Sequence, residues 1–98
     1  MDKAEIPLVD VIRLKPLDDY KLWLRFSDGC EGVRDLSDVV SNDGPMVKPL
    51  QDQKYFARVF IESGVPTWPN GFDLDAINLY MELRDANLLK PESASAAE

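Results

Sequence analysis

The strongest periodic signal in the chain is "YKLWLRFS", where Tyr20, Leu22, Leu24 and Phe26 alternate with Lys21, Trp23, Arg25 and Ser27. A period of two predicts a strand with the first set against the core and the second on the opposite face. Before it, "LVDVIRL" from Leu8 to Leu14 is rich in β-branched residues, so a first strand is expected there, closed by Pro16. Lys15 to Asp19 then turn the chain. Asp28-Gly29 suits the positive φ angles of a tight hairpin, after which "CEGVRDL" returns as a third antiparallel strand.

Further on the apolar spacing changes. Ser41 to Pro45, "SNDGP", has loop composition, whereas Leu50, Phe56 and Val59 fall near one helical face, with Asp52 placed to cap the first turn. "RVFIES" predicts a fourth strand, Gly64 and Pro66 punctuate it, and Thr67-Trp68 pairs back as a short fifth strand ended by Pro69. Asp75 is an expected N-cap for a last helix whose apolar stripe is Ile77, Tyr80, Met81, Leu83 and Leu88. The expected architecture is an α+β domain over residues 1–90, in the order β-β-β-α-β-β-α. It has an antiparallel sheet of about five strands and two flanking helices. Residues 91–98, ending "ESASAAE", read as a disordered tail.

This pattern leaves Trp23 on the wrong side. It shares a face with Lys21 and Arg25, away from the main apolar set, so it needs a covering element or another chain. One account folds the loop from Ser41 to Pro49 over it. The account preferred here makes it an interface anchor, joining a homodimer when the physiological partner is missing.

Length and charge narrow the picture. A chain of 98 residues suits one domain without metal or disulfide staples, and 45% hydrophobic content suits a folded one. Eighteen acidic against eleven basic residues give a net charge of −7. Such a surface repels phosphate backbones unless its cations are gathered on one face, which disfavours nucleic acid and suits a basic protein partner. The sequence lacks a long apolar run, a basic amphipathic helix and a leader pattern, so no membrane association and a cytoplasmic address are expected.

Candidate chemistry is sparse. With no histidine, Ser-His-Asp and Cys-His sites and imidazole metal sites are excluded, and the lone Cys30 lacks an activating base. We therefore expect no enzyme, no catalytic residue, no cofactor and no metal. The motif "TWPNGFDLDAINLY" supplies the remaining candidates. Trp68 either closes the core or presents a platform. Asn70, Asp73 and Asp75 either build a turn and a helix cap or form a loose oxygen cluster for a small ligand or hard cation. The candidate binding residues are thus Trp23, Trp68, Asn70, Asp73 and Asp75.

"FSDGCEGVRDL", "PLQDQKYFARVFI" and "TWPNGFDLDAINLY", in this order and spacing, resemble the small bacterial proteins grouped as domain of unknown function 2442. The likeness is carried by Phe26, Asp28, Gly29, Asp35, Trp68, Pro69, Asn70, Gly71 and Asp73, among others, and runs from about Val9 to Leu83. It implies a compact α+β domain and no established activity. Some relatives carry a following helix-turn-helix segment, which is not seen here before Glu98 and whose absence weakens an expectation of DNA binding. Others are encoded beside a second small protein, which implies a toxin-antitoxin pairing. The resulting expectation is a non-enzymatic interaction or regulatory module, antitoxin-like, with a small basic protein encoded nearby as partner. The alternative is a small-ligand or metal-binding domain around the Trp-Pro-Asn-Gly motif.

Overall fold

In the computed structural model, which describes residues 8–42 and 44–91, strands β1 (Val11–Leu17), β2 (Lys21–Phe26) and β3 (Glu31–Asp35) form an antiparallel meander. Leu22 and Leu24 exchange hydrogen bonds with β3, and Trp23 lies opposite Lys15 on β1 and Val33 on β3. The alternation read in the sequence therefore holds: Leu22, Leu24 and Phe26 are fully buried, and Tyr20 is half-buried with its ring edge-on to Phe56 at 5.6 Å.

The first strand departs from expectation. It runs through Pro16, and the turn is confined to Asp18, Asp19 and Tyr20, with φ near 60° at Asp19 and Tyr20. Pro16 is tolerated because β1 is an edge strand, and the alternation of the ladder turns its nitrogen away from β2, where no donor is needed. At the next hairpin only Gly29 has positive φ, whereas Asp28 accepts the Cys30 amide at 3.0 Å and closes the turn through its side chain.

The expected helix over Leu50–Val59 divides in two. A 3₁₀-helical turn spans Lys48–Gln51, and helix α2 spans Gln53–Phe56 with Asp52 capping the Lys54 amide at 3.0 Å. Before them stands a one-turn helix α1 (Ser37–Val40), an element absent from the order expected from sequence. Arg34 accounts for it in part, because its guanidinium meets Asp38 at 3.2 Å and Glu82 at 3.0 Å, tying α1 and the last helix to β3.

Strands β4 (Phe60–Glu62) and β5 (Val65–Thr67) pair antiparallel as a separate ladder, so the five strands form a three-stranded and a two-stranded sheet. A two-residue loop with positive φ at Ser63 and Gly64 joins them. The Val11 amide donates to the Gly64 carbonyl at 2.8 Å and anchors this hairpin beside β1.

Helix α3 (Ala76–Asp85) starts at Asp75, as its sequence predicts. Its buried stripe is Ala76, Leu79 and Leu83, with Tyr80 packed at the margin as expected, whereas Ile77 and Met81 are half-buried and Leu88 is exposed. The end of the helix explains the difference. The Leu88 amide bonds the Leu83 carbonyl at 2.8 Å, the Asn87 amide bonds Arg84 at 3.1 Å, and Asn87 has φ of 61°, a left-handed stop that swings Leu88 away from the stripe. Lys90 then exchanges two backbone bonds with Glu31 at the edge of β3. The tail expected over 91–98 lies, beyond Pro91, outside the described residues.

Leu22, Leu24, Phe26, Leu50, Phe56, Trp68, Leu79 and Leu83 form one core on one side of the meander. The opposite face of β1–β3 carries the residues that alternate with this set.

Candidate functional site

Two regions hold the residues singled out by sequence. The first is the loop from Trp68 to Asp75, whose local chemistry is closed on itself. Trp68 is fully buried, and its indole N–H donates to the Phe56 carbonyl at 2.9 Å. An inserted Trp with its polar edge satisfied is a core residue and offers no exposed platform. Asn70 donates its side-chain amide to the Met46 carbonyl at 2.9 Å and accepts the Phe72 amide at 3.1 Å, while Gly71 sits at φ of 93° in the turn. Asp75 accepts the Asn78 amide at 3.0 Å. Asp73 is exposed and bridges by its backbone to Thr67. Among the described residues no group of three His, Cys, Asp or Glu side chains is placed to hold a metal ion.

The second region is the outer face of the meander, with Trp23 at its centre. Cross-strand register puts Leu17, Lys21 and Asp35 in one row, Lys15, Trp23 and Val33 in the next, and Arg13, Arg25 and Glu31 in the third. Trp23 is half-buried by its neighbours on this face: its indole N–H donates to Glu31 at 3.1 Å, and the Arg25 guanidinium lies 5.7 Å from its ring centre. Arg25 also pairs with Glu31 at 2.9 Å. The Arg25 hydrogen bond is the largest influence on Glu31 and, with the Trp23 donor, holds its carboxyl below the ordinary glutamate value. Together these contacts hold the indole in place on the sheet.

Beside Trp23 lies a shallow cavity of about 290 Å³ lined by Trp23, Glu31, Gly32, Val33, Leu88 and Lys90. Val33 is 37% exposed and Leu88 49%. Residues 44–49 do not cover this face; they pack on the far side, where Val47 is buried and the Met46 carbonyl accepts from Asn70. The account in which that loop buries Trp23 is therefore incorrect. The apolar side chains that do approach Trp23 are Val33 and Leu88, the latter delivered by the turn after α3.

Sequence reading missed the company Trp23 keeps. Arg13 and Lys15 alternate in "VIRLKPL", but only the pairing register of β1 with β2 places them on the Trp23 face. They are exposed and, among the described residues, make no ion pair.

A third cluster lies at the Asp28 turn. The Tyr80 hydroxyl donates to Asp28 at 2.7 Å and stands 3.9 Å from the Cys30 sulfur. Burial is the largest influence on Cys30 and, with the negative charge of Asp28, pushes the thiol up from its ordinary value, the opposite of what a nucleophile needs.

No helix among the described residues is long and apolar enough to cross a membrane. No curated protein and no solved structure matches the chain. Residues 11–85, from the start of β1 to the end of α3, match the family described as "Protein of unknown function (DUF2442)". With most of its length matched, and with the meander, the Trp68 loop and α3 inside the match, the chain belongs to the DUF2442 family.

Proposed function

We propose that this chain is a non-enzymatic, protein-binding regulatory module that works through the outer face of its three-stranded sheet, an antitoxin-like role among the possibilities such a module serves. One observation carries the reading. A half-buried tryptophan, fixed by Arg25 and Glu31, stands on a sheet face that no helix among the described residues covers, with Val33 and Leu88 exposed beside it. Rigid aromatic anchors of this kind contribute much of the energy in protein interfaces. A ligand or metal site around the Trp-Pro-Asn-Gly motif finds less support, because the side-chain polar groups of Trp68 and Asn70 and the capping oxygen of Asp75 are already engaged. A homodimer through the Trp23 face also finds less support. A two-fold axis across the strands would set Arg13 and Lys15 of one copy near those of the other, and a net charge of −7 on each copy opposes self-association in any register.

Capture from cells that encode the chain, with wild type and Trp23→Ala as baits, tests the reading. We expect a protein retained in stoichiometric amount by wild type and lost by Trp23→Ala, with circular dichroism unchanged. Equal retention by both baits, or no stoichiometric partner, overturns it.

A further inference from the structure

We infer that the outer sheet face selects an acidic protein segment, one that places carboxylates over the β1 side and an apolar side chain against Trp23. This rests on the proposed binding role of that face and adds the chemistry of the partner. The chain is strongly acidic as a whole, at −7, yet the three cross-strand rows carry four cations, Arg13, Lys15, Lys21 and Arg25, against two carboxylates, Glu31 and Asp35. Lys90 adds another cation at the rim of the cavity beside Trp23. The charges are also segregated. Both carboxylates lie on β3, where Glu31 is held by Arg25 and Asp35 lies opposite Lys21, while Arg13 and Lys15 on β1 are exposed. Positive potential is thus concentrated along one edge of Trp23, and the apolar surface of Val33 and Leu88 along the other.

That arrangement opposes the partner charge which the composition suggested. A basic protein drawn to the acidic bulk would meet repulsion at the one face that offers an aromatic anchor. An acidic segment meets attraction there, and its approach is orientated by the repulsion from the remaining surface. Single-stranded nucleic acid is the other polyanion to weigh. The face has one aromatic ring, whose indole N–H is committed to Glu31, and two carboxylates stand in the path a phosphodiester backbone would follow. A stacking platform normally offers several rings along a continuous basic groove. A peptide, which can alternate carboxylates with aliphatic side chains, matches the segregated pattern better.

Selection of a displayed library of short random peptides against the isolated chain tests this directly. The selected peptides are then titrated into isotopically labelled protein, and oligothymidylate is titrated separately. We expect enrichment of acidic sequences containing aliphatic or aromatic residues, with amide shifts at 13–17 and 21–25. The Arg13→Glu, Lys15→Glu double variant should weaken their binding by about tenfold or more, whereas Lys54→Glu on α2 should leave it unchanged. Enrichment of neutral or basic peptides, shifts centred elsewhere, or no enrichment overturns the inference. So does oligothymidylate binding to the same amides more tightly than the selected peptides. A captured cellular partner that depends on Trp23 but not on Arg13 and Lys15 would sink this inference while leaving the proposed function standing.

Discussion

At the scale of single residues, two side chains anchor α3, Asp75 at its start and Tyr80 at its middle, and each yields a measurable effect. Asp75 bonds the Asn78 amide, one of the amides that a helix start leaves unsatisfied. Replacing it by Ala should lower stability by about 1 kcal/mol in urea unfolding, without changing the response to Ca²⁺ or Mg²⁺. Tyr80 connects α3 to the Asp28 turn and meets Phe26 edge-on at 5.1 Å. Burial is the largest influence on Asp28 and pushes it upward. Its hydrogen bonds, led by those from the Tyr80 hydroxyl and the Cys30 amide, together outweigh burial and leave its pKa below the ordinary aspartate value. The same bond to Asp28 is the main reason that Tyr80 is raised well above the ordinary tyrosine value. The signs follow. The Asp28 contribution is present above the unfolded aspartate pKa of about 4 and is lost as pH falls through its lowered folded value. The Tyr80 contribution is present below the unfolded tyrosine pKa of about 10 and is lost as pH rises through its raised folded value. Tyr80→Phe should keep the ring contact, lower stability near neutral pH by about 1 kcal/mol, and flatten both limbs of a plot of urea midpoint against pH. The Asp75 cap was legible from sequence, because capping is a local rule. The Tyr80–Asp28 pair was not, since its partners lie 52 residues apart and meet only once α3 packs beside β3.

At the scale of elements, the segment after α3 closes the edge of β3 through a close backbone approach. A Cβ on Gly32 would come within 2.7 Å of the Leu88 carbonyl oxygen and 3.3 Å of Leu83. Gly32→Ala should therefore push the 88–90 segment off β3, breaking the paired bonds between Glu31 and Lys90. A cost of about 1–3 kcal/mol is expected, with accelerated hydrogen exchange at Glu31 and Lys90. The same displacement should disturb the cavity beside Trp23, where Leu88 and Lys90 form part of the wall. The sequence marked the meander well, because a period of two survives any tertiary arrangement. It marked β1 too far toward the N-terminus, because a proline inside a strand is harmless only on an edge, and edge position is a property of the whole sheet. It placed Leu88 in the α3 stripe for a related reason. Asn87 stops the helix in a left-handed conformation that glycine usually supplies, so the signal to stop was weak.

At the scale of the whole molecule, the fold divides the meander into two unlike faces. One buries Leu22, Leu24 and Phe26 under α2, α3 and the Trp68 loop, and the other carries Trp23 among cations on a chain that is acidic overall. The sequence located Trp23 on the outer face by parity alone. The charge of that face escaped it, since net charge averages over the surface and Arg13 and Lys15 join Trp23 only through register. Of the five candidate residues, Trp68, Asn70 and Asp75 belong to the core and its loop, Asp73 stands exposed in that loop, and Trp23 alone stands on the sheet's open face. The central claim, that this face is where the protein works, is tested most directly by mapping backbone amide shifts as the captured partner is titrated into the labelled chain. The account predicts changes concentrated at 13–17, 21–25 and 31–35, with the amides of 68–75 unmoved. Changes centred on 68–75, with the meander silent, would contradict it.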